Sequence, residues 1–505
     1  MKKERCIPNE IISFFKKPGG RSLLVKGGAG TGKTTFALEV LDEIAGPEDS
    51  FYLSTRVSDE SLYIQFPWLK DKEYHTRILD AGRLFLESLY KKEISVEAIE
   101  KVKEDKRVKG AREFLKSIKK TDVPREVNRT NLDMLLGKCE MPEIERVYDK
   151  IEEKLPKKTL FVIDSLEGVT TKYKVKEDEL VTTLQKDLVE NSNTDMLMVL
   201  EKDTDTTVDF LVDGVVMVSK REIEGRRVRE IKIEKLRATE IMQPSYLTTL
   251  AGGRFLSFEP FTPKLKGMKW ESIPDTEHYY STGVPDIDKL LGGGYKKGSY
   301  NVIEVGENVS SEEYYAVIRP ILLNFISHER GCIIVLPGGE HADALREDLV
   351  RYIEPEVFDK YIHVADYFLQ ESTKPYIMAL GTRNKEEALR NWKNVLHQLR
   401  GATQRPIMDF ASFDTLEYLR GNEITIRDLF NTVGATKISK DIGIGILKPG
   451  LKLSQEIMNM ADTYLKIMDI DKSCCICGVK PHTIIYVITP DKEKGLPYIS
   501  LTPVV

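Results

Sequence analysis

Cysteine is scarce in this 505-residue chain, with six in all. That is too few to staple a fold, so the protein must be held by packed cores rather than by a disulfide framework. Long apolar runs are missing as well: none approaches the roughly 20 residues needed to cross a bilayer. The opening stretch "MKKERCIPNEIISFF" has neither the apolar core nor the small-residue cleavage site of an export signal. An excess of one charge sign is also absent. The net charge is −5, from 75 basic and 80 acidic residues, which gives the whole chain no pull toward nucleic acid while still allowing a local basic patch. Glutamine is sparse beside abundant Lys and Glu, a weak thermophilic signature. The expectation is a cytoplasmic protein with no membrane partner. Its 41% hydrophobic content is enough for sizeable cores, and its length predicts roughly two to four domains.

The strongest motif present is "SLLVKGGAGTGKTTFALEVLDEIAG", residues 22–46. An apolar strand (Leu23, Leu24, Val25) runs into Gly27 to Thr34, and a helix follows with Phe36, Ala37, Val40, Leu41 and Ile44 on one face. The loop fits G-x-x-x-x-G-K-S/T in the strand–loop–helix setting that the motif requires. Glycines let backbone N–H groups turn inward around phosphates, and the helix N-terminus adds its positive end. Gly28, Ala29, Gly30, Thr31, Gly32, Lys33, Thr34 and Thr35 are therefore the expected nucleotide-binding residues. Lys33 is expected on the β- and γ-phosphates of ATP, and the Thr34 hydroxyl on Mg²⁺.

Such a loop needs a partner strand ending in an acid. "KKTLFVIDSLEGV" supplies Leu160 to Ile163 followed by Asp164, whose carboxylate would hold the magnesium directly or through water. A later stretch, "LVDGVVMVSKREIEGRRVREIKIEKLRATEI" (211–241), reads as strands joined by a Glu-Gly turn and is locally basic.

With the GGAGTGKTT loop, the VIDSL strand and "VDGVV…RVREIKIEKLRAT" in place, the chain resembles the RecA-like P-loop ATPases of the KaiC group, including the archaeal gas-vesicle regulator GvpD. That resemblance implies an α/β fold of two tandem RecA-like P-loop NTPase domains, each a mostly parallel sheet flanked by helices. It implies an ATPase that uses ATP and Mg²⁺ and forms a homo-oligomeric ring, a hexamer by analogy, whose nucleotide state governs assembly and binding of a protein partner. The K-x-R of the last strand, which in the family reaches a neighbouring subunit's ATP, falls on Lys235 and Arg237. One departure stands out. The family carries paired glutamates after the second strand, where one polarises the attacking water; here "SFYLSTRVSDESL" has Thr55-Arg56. Asp59 and Glu60, a few residues on, are the candidate substitutes beside Lys33 and Asp164, and hydrolysis is expected to be slow or to use another base.

The segment "YYSTGVPDIDKLLGGGYKKGS" (279–299) resembles the opening of a KaiC-family domain, and "SYNVIEVGENVSSEEYYAVI" follows it. Aligning Gly306 with Gly27 puts Glu312 opposite Lys33 and Glu313 opposite Thr34. Exchanging a lysine for a glutamate beside a triphosphate turns attraction into repulsion, each interaction being about 4 kcal/mol at 4 Å for an effective dielectric near 20. This second copy is expected to keep the frame without the chemistry, with Asp414 opposite Asp164 and Asp409 as the alternative.

The expected organisation is an ATPase domain at 1–260 with a charged, helix-biased insertion at about 84–156, a linker at 261–275 and a degenerate domain at 276–505. Two other classes compete with the regulatory ATPase. A DNA-binding recombinase accessory would use the basic hairpin and Lys101–Lys120; a nucleotide sensor without turnover would fit Thr55-Arg56. Cys474, Cys475 and Cys477, with His482 nearby, suggest either zinc or small thiols packed in a β-hairpin.

Overall fold

A computed structural model describes residues 6–71, 78–84, 129–136, 140–381, 385–401 and 404–505. The Lys101–Lys120 stretch lies outside them, as does most of the expected insertion; helices Thr130–Leu136 and Pro142–Glu152 are its described part. The chain divides into two compact units, residues 1–258 with Val505, and residues 259–504.

The first unit is built on a nine-stranded sheet in the order β3-β2-β4-β5-β1-β6-β7-β8-β9. Its strands are β1 (Ser22–Lys26), β2 (Ser50–Ser54), β3 (Ile78–Asp80), β4 (Leu160–Asp164), β5 (Asp195–Leu200), β6 (Gly214–Ile223), β7 (Arg226–Leu236), β8 (Ser245–Thr249) and β9 (Leu256–Ser257). From β3 to β6 every pairing is parallel, and from β6 to β9 every pairing is antiparallel. All five residues of β1 are buried, as a strand covered on both faces requires. Alternation along it divides the core: Leu23 and Val25 join one hydrophobic cluster, with Phe36 and Val40 of the helix Lys33–Ile44, while Leu24 joins the other, with Phe161 and Met198. The turn between β6 and β7 uses Glu224 and Gly225, both at positive φ (50° and 71°), the backbone that a two-residue hairpin of the right twist demands.

The second unit repeats this plan. Its ten-stranded sheet runs β15-β14-β13-β16-β17-β12-β18-β19-β20-β21, formed by β12 (Tyr300–Val305), β13 (Gly331–Val335), β14 (Ile362–Asp366), β15 (Ile377–Ala379), β16 (Ile407–Ser412), β17 (Ile442–Leu447), β18 (Thr463–Ile470), β19 (Ser473–Lys480), β20 (Ile485–Pro490) and β21 (Ile499–Pro503). Without the added edge strand β15, the order and the change from parallel to antiparallel pairing match the first unit strand for strand. A two-stranded ribbon of β10 (Tyr279–Tyr280) and β11 (Tyr295–Lys296) precedes β12. It folds around Asp288, whose carboxylate accepts hydrogen bonds from Ser281 Oγ and from the Thr282 backbone N–H and Oγ1 at 2.5–2.7 Å.

The segment read from sequence as a linker packs along this second unit. Trp270 stacks on Tyr498 with ring centroids 5.0 Å apart, and Leu265 bridges to Leu496. Cys474, Cys475 and Cys477 are buried on the β18–β19 hairpin, and burial pushes the Cys474 and Cys475 thiols well up from their ordinary range. They do not gather into a metal-ligating group, and His482 is exposed. No helix among the described residues is long and apolar enough to cross a membrane.

Candidate nucleotide site

Parallel strands bring their C-terminal ends to one edge of the sheet, where open α/β folds bind ligands. In the first unit that edge holds the loop Gly27–Gly32 between β1 and the helix Lys33–Ile44. A Cβ on Gly27 would sit 2.2 Å from the Val218 carbonyl oxygen, and Gly32 has φ of 108°, so glycine is required at both ends of the loop. Gly32 is the N-cap and offers no side-chain cap. The first-turn amides are thus left for an anion to satisfy.

Lys33 is buried, and its Nζ donates to the Gly27 and Gly28 carbonyls at 2.8 and 2.7 Å. Burial lowers its pKa, while Glu201, Asp164 and Glu167 pull it back up. Thr34 Oγ1 donates to Asp164 Oδ2 at 2.7 Å, and the Tyr52 hydroxyl donates to the same oxygen at 2.5 Å. Burial raises the Asp164 pKa, and these two hydrogen bonds and Lys33 act against the rise. A hydroxyl and a carboxylate side by side at the foot of a phosphate loop are the hard oxygen donors that suit Mg²⁺. With the uncapped helix end and the buried lysine, the residues present fit a Mg-nucleotide.

Lys33, Thr34 and Asp164 are therefore brought together, with Gly28, Ala29, Gly30, Thr31, Gly32 and Thr35 around them. Other expected residues stand apart. Asp59 and Glu60 occupy the first turn of the helix Asp59–Gln65, where Asp59 accepts the Glu60 amide at 2.9 Å. Among the described residues neither is hydrogen-bonded to Lys33, Thr34 or Asp164. Lys235 and Arg237 lie at the C-terminal end of β7, with Lys235 level with the middle of β1: Lys235 pairs with Val215, and Leu24 pairs with Val215 from the other side. Lys235 donates to the Asp209 and Val212 carbonyls at 2.9 and 2.6 Å, and Arg237 pairs with Asp213 at 2.9 Å. They do not reach the loop of their own chain.

Arg229, Gly168 and Glu201 escaped the sequence reading, and Thr55 and Arg56 gain structural partners. Arg229, in the basic hairpin, is 9% exposed and donates to the Gly30 and Thr31 carbonyls at 2.8 and 3.0 Å, bracing the loop from outside. Thr55, where the family has a glutamate, is committed to structure: its amide donates to the Asp164 carbonyl at 2.9 Å, and its hydroxyl accepts the Ser165 amide at 2.8 Å. Gly168 makes room for it, since a Cβ there would lie 2.1 Å from Thr55 Oγ1. Arg56 forms an ion pair with Glu201, just past the end of β5. The signal for Glu201 was its place directly after the apolar run "MLMVL", visible once β5 is known to flank β1.

The matching edge of the second unit is closed by its own side chains. Residues 306–310 separate β12 from the helix Ser311–Ser327, against 27–32 in the first unit, so the loop is one residue shorter. Ser310 caps the helix: its Oγ accepts the Glu313 amide at 3.3 Å, and Glu313 Oε2 accepts the Ser310 N–H and O–H at 2.8 and 2.7 Å. This capping box occupies donors that a phosphate would need. Glu312 turns instead to Arg319, at 2.9 Å. Helix starts therefore align Ser311 with Lys33, a one-residue correction to the sequence alignment. The aspartate match also changes. Leu24 pairs with Met198 and Met198 with Ile163, as Ile303 pairs with Ile446 and Ile446 with Ser412. This register puts Phe413 at the level of Asp164. Asp414 serves another purpose, accepting the Gly338 amide at 3.0 Å.

The fold and this first-unit site define a P-loop protein. The family model for the GvpD gas vesicle protein P-loop domain matches residues 11–234, and the model for GvpD basic region 2 matches residues 269–505. Protein GvpD2 of Halobacterium salinarum is 25% identical to this chain, the match covering 99% of the chain and 96% of that protein. Protein GvpD1 of the same organism is 24% identical with the same coverage. The two models follow one another along nearly the whole sequence, and the chain belongs to the GvpD family.

Proposed function

We propose that this chain is a cytoplasmic regulatory ATPase of gas-vesicle biology, in which Mg-ATP bound by the first unit sets oligomerisation and binding of a protein partner. The observation that carries the reading is the convergence of buried Lys33, Thr34 and Asp164 beneath a helix end without a side-chain cap. Lys33 and the amides of Gly28–Thr35 would hold the phosphates, and Thr34 and Asp164 the metal. Mg²⁺, when bound, neutralises charge on the β- and γ-phosphate oxygens. Residues 1–260 form the nucleotide domain in this reading, and 276–505, preceded by 261–275, a degenerate copy given over to assembly and partner recognition. Lys235 and Arg237, pointed away from their own loop, would serve a neighbouring subunit in a ring.

Phosphate release from Mg-ATP, with Lys33→Ala as control, tests the enzyme part of this reading; native mass with and without ATP tests the assembly part. Turnover abolished by the substitution and a mass that rises with ATP are expected. An unchanged monomer in both states would count against nucleotide-controlled assembly. A second reading, a nucleotide sensor without turnover, draws on Thr55, whose hydroxyl is engaged with the Asp164–Ser165 peptide and offers no acid for the water. ATP binding without phosphate release would select it.

A further inference from the structure

The family's water-polarising acid is missing from the end of β2, and an arginine stands there instead. Arg56 reaches across to Glu201, which follows the last residue of β5. Three hydrogen bonds anchor the backbone around this pair beside the phosphate loop. The amide of Gly27 donates to the carbonyl of Lys202, the next residue, at 2.9 Å. The amide of Glu201 itself donates to Glu167 Oε1 at 2.5 Å. Arg56 is one residue beyond Thr55, whose amide is bonded to the Asp164 carbonyl. Glu201 is thus bracketed between the lysine side and the metal side of the site.

We propose that Glu201 is the catalytic carboxylate of this site, that Arg56 is its positioning residue, and that the two replace the acid expected after β2 by a charge exchange between the ends of β2 and β5, the two strands that flank β4. The proposal rests on the ATPase reading above. In the step it assigns, a water oxygen attacks the γ-phosphorus, the bond from that phosphorus to the β,γ-bridging oxygen breaks, ADP leaves, and the water proton passes to the Glu201 carboxylate. The Arg56 and Glu201 side chains are 47% and 36% exposed. A pair this open is only weakly held, so its carboxylate turns toward a bound water at little cost. Asp59 and Glu60, on a helix beyond this cluster, are not needed.

The test is phosphate release from Mg-ATP by the full chain, paired with titration of a fluorescent ATP analogue to show that each variant still binds nucleotide. Glu201→Gln is expected to lower kcat at least 100-fold with nucleotide affinity within about threefold of the parent protein. Arg56→Ala is expected to lower kcat about tenfold with KM unchanged, and Arg56→Lys to recover most of it. A Glu201→Gln protein that turns over at the parent rate overturns the assignment and leaves the ATPase reading standing. So does loss of turnover in Asp59→Asn or Glu60→Gln while Glu201→Gln remains active. A parent protein that binds ATP and releases no phosphate overturns both.

Discussion

The two units share a sheet order and differ at the mouth of that sheet. In the first, the helix after the loop starts at Gly32 with no side-chain cap, and a buried lysine lies against the loop carbonyls. In the second, the helix starts at Ser310, and Glu313 folds back to satisfy the same kind of donors. The first mouth is left unsatisfied in a way that an anion completes; the second is complete in itself. A capping box contributes about 1 kcal/mol to a helix, whereas an uncapped end forgoes that stability. Keeping the end open in one unit and closing it in the other is what separates a binding site from a structural copy of one.

The largest effect that bears on this contrast is expected from Lys33→Ala. Loss of a charge-assisted contact should weaken ATP binding by about 1.5–3 kcal/mol, which is roughly ten- to more than a hundredfold in Kd, read by titration with a fluorescent nucleotide. An affinity unchanged by the substitution would break the contrast at its stronger end.

Next comes a pH effect in the second unit. Burial, with Asp441 nearby, pushes the Asp409 carboxyl up to about 6, partly opposed by Arg420. Because the folded-state value lies above the unfolded one, near 3.9, the stability linked to this group is fully present below about pH 4 and lost as pH rises through about 6. Asp409→Asn should therefore stabilise the protein by about 3 kcal/mol at pH 8 and have little effect at pH 4. Denaturant melts at the two pH values check this. Equal effects at both would show that the buried acid is not titrating as described.

Two smaller effects sharpen the comparison. Glu313→Ala should cost about 1 kcal/mol of stability by removing half the capping box, with no change in nucleotide affinity. Glu312→Ala should cost about 0.5 kcal/mol, since its pairing with Arg319 is half exposed, and should also leave ATP binding unaltered. A nucleotide effect from either would mean that the second mouth takes part in binding.

How far the sequence foretells this arrangement depends on distance along the chain. Gly27 to Thr34 act within eight consecutive residues, so both their order and their purpose are legible as a string. Asp164 is legible because a buried strand ending in an acid is the loop's usual partner, and the repeat is legible from "STGVPDIDKLLGGG" and the apolar strand after it. Glu201 and Arg229 are not. Arg229 reaches the loop, and Glu201 comes to stand beside it, only because β5 and β6–β7 flank β1 in the folded sheet, a long-range outcome that no local pattern carries. The capping box was present in plain form, Ser310 followed three residues later by Glu313; read as a charge reversal at a phosphate, it concealed a simpler local function. Phe413 in place of an aspartate emerges only from strand register.

The central claim, one open mouth and one closed, is tested most directly by the stoichiometry of Mg-ATP binding to the full chain, measured by titration calorimetry on the parent and on Lys33→Ala. One nucleotide per chain is expected, with Lys33→Ala weakening that single event. Two nucleotides per chain, or a binding curve that Lys33→Ala leaves unchanged, would contradict it.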